Sequence, residues 1–288
     1  MKDVIVVGAG IMGATIGEAF RQIQQRDVLI LDDRRPMAGT PPSGGSVTPS
    51  KLTGLGDDLV KPVLVTLERL WGLRKENFVV KPSMGLLKYD VYQTDVNLVR
   101  NVPQEQATVM AITKPGTFPQ VRIATPTSVR TEMCRLLVVC TGAFGAELLP
   151  EVYPDRTLTA KIGVSFRFAG RISQAFAEVW APYKKIFVHP ISIGNDKWET
   201  WGCDGSALIA ENWTDERTEE CKRRVMKAMG AKVGPHTINK GLRPFHSSGA
   251  KPCYLEEVDG RIWAATGAGK FGCISAGWAA NQLLARAK

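Results

Sequence analysis

The hexapeptide Gly8-Ala9-Gly10-Ile11-Met12-Gly13 has the spacing G-x-G-x-x-G. It stands between an apolar run, Val4–Val7, and a stretch of helical character, Met12 to Arg26. In that context the pattern is the signature of a dinucleotide site. Each glycine has its own task. Gly8 permits the tight turn, Gly10 lets a pyrophosphate approach the backbone, and Gly13 lets the helix pack on the strand. The N–H groups at the helix start, around Ile11 and Met12, then face the phosphates with a partial positive charge behind them. Asp32 closes the next strand, where a carboxylate accepts hydrogen bonds from ribose hydroxyls. Asp33 is its less suited neighbour, and an acid here argues against NADP. Gly17 extends the pattern to GxGxxGxxxG, which leans towards FAD without by itself separating FAD from NAD. A second glycine turn, Thr266 to Gly272, follows the apolar run Arg261–Ala265 near the other end of the chain. A nicotinamide-linked dehydrogenase needs only the first turn and leaves the second unexplained.

These turns need strands and helices to carry them. Val4–Val7 and Val28–Leu31 read as parallel strands buried on both faces, joined through a helix as a βαβ unit. Pro36 to Asp58 is rich in Gly, Pro, Ser and Thr and reads as loop; Leu59 to Leu73 reads as helix. Phe78 to Val99 and Ala107 to Ile123 break into short extended runs. Arg135–Cys140 is a further buried strand, closed by Thr141-Gly142-Ala143. Lys161–Phe168, Ile186–Ile193 and Trp198–Gly202 read as strands, Asp215 to Gly230 as a helix with one charged face, and Ser275 to Ala287 as the last helix.

With 288 residues, 44% hydrophobic and 23% charged, the chain has enough apolar mass for one large domain or two interleaved ones. No apolar run reaches membrane-span length, and VIVVGAG does not read as a signal peptide. Six cysteines (Cys134, Cys140, Cys203, Cys221, Cys253, Cys273) lack a CxxC pair, and three histidines (His189, His236, His246) give no metal-ligand spacing. We read the thiols as reduced, in a cytoplasmic protein without a metal. The net charge of +9, with a pI of about 9.3, is unusual for a small-metabolite enzyme. Part of the excess lies in Lys222, Arg223, Arg224, Lys227 and Lys232. Such a run is either a solvated helix face or a footprint for a polyanion such as nucleic acid.

Three longer segments carry a family resemblance. RLLVVCTGAFGAELLP (Arg135–Pro150), GLRPFHSSGAKP (Gly241–Pro252) and RIWAATGAGKFGCISAGWAANQLL (Arg261–Leu284) resemble, in this order, segments of the FAD-dependent D-amino acid oxidase and glycine/sarcosine oxidase family. The middle matches thinly, through VSFRF, FVHP and WGCDG. The resemblance implies an α/β fold with two parts. A Rossmann-like FAD-binding domain would be assembled from residues 1–75, 128–158 and 234–288. A substrate domain with a mixed or antiparallel sheet would take residues 76–127 and 159–233. It implies noncovalent FAD held by Gly8, Gly10, Ile11, Met12, Gly13, Asp32, Asp33, Arg34, Gly44, Gly45, Ser46, Thr141, Gly142, Ala143, Gly267, Gly269, Lys270, Phe271, Gly272 and Cys273. O2 would be the electron acceptor.

The implied chemistry is oxidation of the bond between carbon and an amine, with hydrolysis of the imine and release of hydrogen peroxide. Arg243 matches the family arginine that grips a substrate carboxylate, a task suited to a planar guanidinium fork. Lys270, in the closing turn, would place a cation beside the flavin. Tyr254, His189 and Trp201 are further substrate-side candidates, and His246 is weaker. The sarcosine-oxidase branch carries an oxygen-activating lysine on the substrate sheet; here Thr200 stands there, with Lys197 close by, which counts against that branch. The region from Glu76 to Glu132 is short for the family, which implies a more open site. Two substrates follow: a free small amino acid or N-alkyl glycine, or a glycyl group on a modified base of DNA or RNA. The positive charge and the open middle favour the second. A non-catalytic flavin-binding subunit is the reading of another class, and the presence of Arg243 counts against it.

Overall fold

Four apolar runs pair side by side to make the centre of the molecule. The computed structural model describes residues 1–38, 46–47, 57–77, 79–81, 90–94, 98–99, 101–148, 150, 158–173, 175–181, 184–194, 197–205, 208–249, 252–269 and 272–287. Strand β1 (Lys2–Val7) leads into helix α1 (Ile11–Ile23) and strand β2 (Val28–Asp32), the βαβ unit read from the sequence. Helix α2 (Asp57–Trp71) follows. After the short extended segments Leu73–Asn77, Val79–Lys81 and Asp90–Thr94 come three short strands, β3 (Glu105–Gln106), β4 (Thr108–Thr113) and β5 (Gln120–Ala124), and then the long strand β6 (Val129–Val139). The chain then builds a second sheet from β7 (Leu158–Ala169), β8 (Phe176–Ala181), β9 (Lys184–Gly194) and β10 (Lys197–Cys203). Helix α3 (Asp215–Met229), strands β11 (Thr237–His246), β12 (Tyr254–Glu257) and β13 (Ile262–Thr266), and helix α4 (Gly272–Arg286) complete it.

The first sheet has the order β12-β13-β6-β1-β2-β3, parallel except for β12. Its central strands are apolar on both faces because both faces are covered. On one side α1, α2 and α4 pack Ile16, Phe20, Leu67 and Ile274 against Val4, Val6, Val138 and Trp263. On the other, Ile5, Val7, Leu31 and Leu137 meet Val121 and Ile123 from the β4–β5 hairpin. Strand β6 serves twice: its first half pairs antiparallel with β5 and its second half parallel with β1.

The second sheet is mainly antiparallel, with β11-β7-β10-β9-β8 in sequence and Val79–Lys81 added in parallel at the β8 edge. Alternation along β7 separates its faces. Ile162, Val164, Phe166 and Phe168 are buried, and the last three join Cys221 and Val225 of α3 in one core. Thr159, Lys161, Gly163, Ser165 and Arg167 take the opposite face. Helix α3 starts at Thr214, whose side chain accepts the Arg217 N–H, and stops at Gly230 in the left-handed region (φ 64°).

Two segments link and extend the sheets. Strand β11, in residues 234–288, pairs along its whole length with β7 of the second sheet. Within residues 105–124, β3 extends the first sheet beside β2, and β4–β5 cover it.

Buried Asp204, 2% exposed, pairs with Arg224 of α3, 12% exposed, and so ties α3 to the end of β10. Removing one partner leaves the other charge desolvated. Replacing Asp204 by Ala is therefore expected to lower unfolding stability by about 3–5 kcal/mol in urea titrations, far more than an exposed-pair variant such as Lys2→Ala.

Candidate functional site

The two glycine turns meet at the C-terminal edge of the parallel sheet. Gly8 has φ +97°, and a Cβ there would lie 2.6 Å from the Cys140 carbonyl oxygen and 3.3 Å from the Thr141 Cα. Its N–H donates to the Leu31 carbonyl (2.7 Å), and the Cys140 N–H donates to the Val7 carbonyl (2.7 Å). A Cβ on Gly13 would strike the Gly8 carbonyl. The first turn thus packs backbone to backbone, as G-x-G-x-x-G requires. Helix α1 begins at Gly10 with no side-chain cap and no acid in its first turn, which leaves that end suited to an anion.

Asp32 is built into the turn. One carboxylate oxygen accepts the Ala9 N–H (2.6 Å) and the other the Arg34 N–H (2.7 Å). Each oxygen keeps a lone pair for a ribose hydroxyl. Asp33 instead pairs with Arg35 (2.5 Å), so of the two acids Asp32 is the one aimed at the turn. Arg34 stands in the left-handed region (φ 53°), turning the chain away from β2.

The closing turn reaches the first from the far side. Thr266 Oγ1 donates to the Gly142 carbonyl (2.9 Å), linking it to the Thr141-Gly142-Ala143 turn. Gly142 itself has φ +62° and open space where a Cβ would stand. A Cβ on Gly272 would meet the Ile11 Cγ2 at 3.1 Å, so the starts of α4 and α1 lie together. Cys273 follows, buried. The Gly269 N–H donates to the Pro244 carbonyl (2.8 Å), Phe245 bridges to Ala268, and a Cβ on Gly269 would lie 2.7 Å from the Phe245 ring. The residue after Arg243 is thereby clamped to the closing turn. Lys270, Phe271, Gly44 and Gly45 lie outside the described residues, and of Ser46 only the strand Ser46–Val47 is described.

Arg243 projects from β11 on the face away from α3. Its guanidinium lies over the Cα of Gly163, in space that any larger residue would fill. It is half-buried, and no described residue meets it with a hydrogen bond or an ion pair. The register puts Trp201 and His189 on the same face, two and three strands from Arg243. Their rings pack 4.7 Å apart beside Ile191 and Cys203, and His189 has no exposed surface. They form a buried aromatic cluster opposite Arg167, six residues along β7 from the Lys161–Arg243 pair. Tyr254 stands elsewhere: it stacks on His246 (3.8 Å, 11°) against Gly267. Burial pulls the His246 imidazole below its ordinary pKa, and its Nδ1 meets Ser248 Oγ (2.6 Å). Thr200 points to the α3 face, where it donates to the Gly170 carbonyl and accepts the Ile172 N–H, and Lys197 is exposed. His246, Gly142 and Gly163 were the signals hardest to read; Gly163 has meaning only once Arg243 is seen above it.

The residues present fit FAD: a glycine cradle, an uncapped helix start, an acid at the end of β2 and a second turn beside the first. All six cysteines are buried and none is in a disulfide, and desolvation pushes Cys253 up to about 12. Such thiols are poor nucleophiles towards a flavin ring. Among the described residues no cluster of His, Cys, Asp and Glu is arranged for a metal, and no helix is long and apolar enough to cross a membrane.

This fold and turn geometry define the FAD-dependent oxidoreductase class of folds. No protein-family model and no curated sequence matches the chain. Solved structures do match. Glycine oxidase from Geobacillus kaustophilus superposes with a TM-score of 0.72 at 13% identity, over 98% of this chain and 93% of that one. Iminodiacetate oxidase from Chelativorans sp. BNC1 gives 0.64 at 15%, over 97% and 94%. Glycerol-3-phosphate dehydrogenase from Bacillus halodurans, a structure complexed with FAD, gives 0.68 at 13%, over 100% of this chain and 64% of that one. The chain has the fold of the glycine oxidase type of flavoprotein, at nearly the full length of the two oxidases.

Two outcomes test the site. Gly8→Ala places a Cβ against Cys140 at a positive φ, so FAD content, read from visible absorption of folded protein, should fall at least about tenfold, the equivalent of the 1–2 kcal/mol handedness penalty. Acid precipitation of the wild-type protein should release all of its flavin into the supernatant, as noncovalent binding requires.

Proposed function

We propose that the protein is an FAD-dependent oxidase of a glycine-like amine. The observation that carries this reading is Arg243: a half-buried guanidinium, seated over Gly163, without a carboxylate among the described residues, one residue from the clamp on the closing turn. A buried cation left without a protein anion is a site for a ligand anion. Arg243 binds the substrate carboxylate as a planar fork and so fixes the amine-bearing carbon. When bound, FAD would supply the two-electron acceptor for oxidation at that carbon, with O2 as the final acceptor and hydrogen peroxide as its product. The substrate C–N bond becomes an imine, which water splits into a carbonyl compound and an amine or ammonia. The names of the two superposed oxidases, for glycine and for iminodiacetate, support an amine next to a carboxylate.

We place the glycine-like group on a nucleobase of DNA or RNA, in a protein of the cytoplasm. The support is the net charge of +9. Helix α3 contributes less to it than its composition suggests. Lys222 pairs with Glu219, Arg217 with Glu220, and Arg224 with Glu220 and Asp204. Arg223 and Lys232 remain for a polyanion. A free small amino acid is the second reading, supported by Arg243 and by the names of the two superposed oxidases.

The test is peroxide release from glycine, sarcosine and D-alanine against glycyl-modified nucleosides and oligonucleotides. The nucleic-acid reading predicts turnover of the modified oligonucleotide, with KM rising steeply with salt. Turnover of free amino acids alone overturns it, and no turnover of any of them overturns the oxidase. Arg243→Gln is expected to lower kcat/KM by about 10- to 100-fold, the worth of a charged hydrogen-bonded pair, with FAD content unchanged.

A further inference from the structure

Lys161 faces Arg243 directly across the β7–β11 pair, so both side chains leave the sheet on the face away from α3. Like charges in opposed positions destabilise a sheet. Elsewhere in this sheet the half-buried cations among the described residues have acids: Arg167 meets Glu199 (3.3 Å) and Lys240 meets Asp215 (2.7 Å). Lys161 and Arg243 are half-buried too, and no described carboxylate meets either. Their charged ends diverge along the sheet. The Arg243 guanidinium lies over Gly163, whereas the Lys161 ammonium lies over the Phe245 ring, 4.7 Å from its centroid. Phe245 is the ring that abuts Gly269, so the ammonium stands at the end of the sheet nearest the closing turn. Asn239, on the same face, adds a buried Nδ2 donor without a partner. Around Lys161 and Arg243, the described residues of this face supply cationic donors and no carboxylate that meets them.

Resting on the amine-oxidase reading, we propose that the site takes a doubly anionic substrate. The carboxylate next to the amine lies on Arg243, and a second anionic group, a carboxylate or a phosphate, lies on Lys161. The strand rise of 3.3–3.4 Å per residue sets the two anions roughly 7–13 Å apart, since the charged ends lie two to four residues from each other along the pair. The substrate is therefore longer than glycine. The ring of Phe245 under the ammonium strengthens the second position, because a cation over an aromatic face is already partly desolvated.

The experiment is isothermal titration of the FAD-loaded protein at constant ionic strength. The probes are α,ω-dicarboxylates from succinate to suberate, with monocarboxylates of equal chain length as controls. A third arm uses ω-phosphonocarboxylates of the same lengths. The expected result is a preference for the dianion over its control of about 10- to 100-fold, largest for the longer members. In Lys161→Met the ratio should fall to about one, and Lys161→Arg should restore most of it. In Arg243→Gln both members of each pair should weaken. A stronger response to the phosphonates identifies phosphate as the second group, and the reverse identifies carboxylate. Equal affinity of dianion and control in wild type, or a preference that survives Lys161→Met, overturns the proposal. Binding is read as heat, so a protein that binds no flavin defeats the oxidase reading separately.

Discussion

The structure depends on how closely its backbone segments approach one another at one edge of the parallel sheet. Gly8 stands against the Cys140 carbonyl, Gly13 against Gly8, Gly272 against Ile11, and Gly269 against the Phe245 ring. A side chain at any of these would push two segments apart. The close approach brings the starts of α1 and α4 together, with the positive ends of both helix dipoles at one edge of the sheet. It also joins the two sheets, because the Pro244 carbonyl that accepts the Gly269 N–H belongs to the strand that carries Arg243. The position of the chemistry thus follows from where glycine stands. On the proposed function, an anion cradle at Gly8 and a carboxylate grip at Arg243, 235 residues apart in sequence, serve one site.

The first sheet was legible because its strands are apolar on both faces and its turns are glycine. Strands β1, β2 and β13 and helices α1, α3 and α4 lie where the sequence pattern puts them, within three residues, and β6 begins six residues before the apolar run Arg135–Cys140. Strand β11 was not legible. Its sequence TINKGLRPFH mixes Lys, Gly and Pro and shows no alternation, because one neighbour and a glycine-lined face stabilise it instead of a buried row. Pro244 is tolerated because β11 is an edge strand and needs no donor there. Of the candidate residues, Arg243, Trp201 and His189 share a face, as strand parity shows once the register is known. Tyr254 belongs to the closing turn with His246, a pairing that no sequence spacing signals.

The charge of the chain has the same lesson. Composition shows an excess of nine cations, and the run from Lys222 to Lys232 looks like its centre. In the folded chain that helix spends much of its charge on its own acids and on buried Asp204. Among the described residues, Lys161 and Arg243 of the second sheet meet no acid, and they are the cations proposed to hold a small ligand, where a sequence reading sees two isolated residues 82 apart. Burial, and not density along the chain, decides which charges are left for a ligand.

The central claim, an FAD site that oxidises an amine, is tested most directly by the visible absorption spectrum of purified protein before and after anaerobic mixing with carboxylate-bearing amines. The account predicts a yellow protein whose flavin bands bleach with an amine substrate and return on admission of air, with release of hydrogen peroxide. A colourless protein that takes up no added FAD would contradict it.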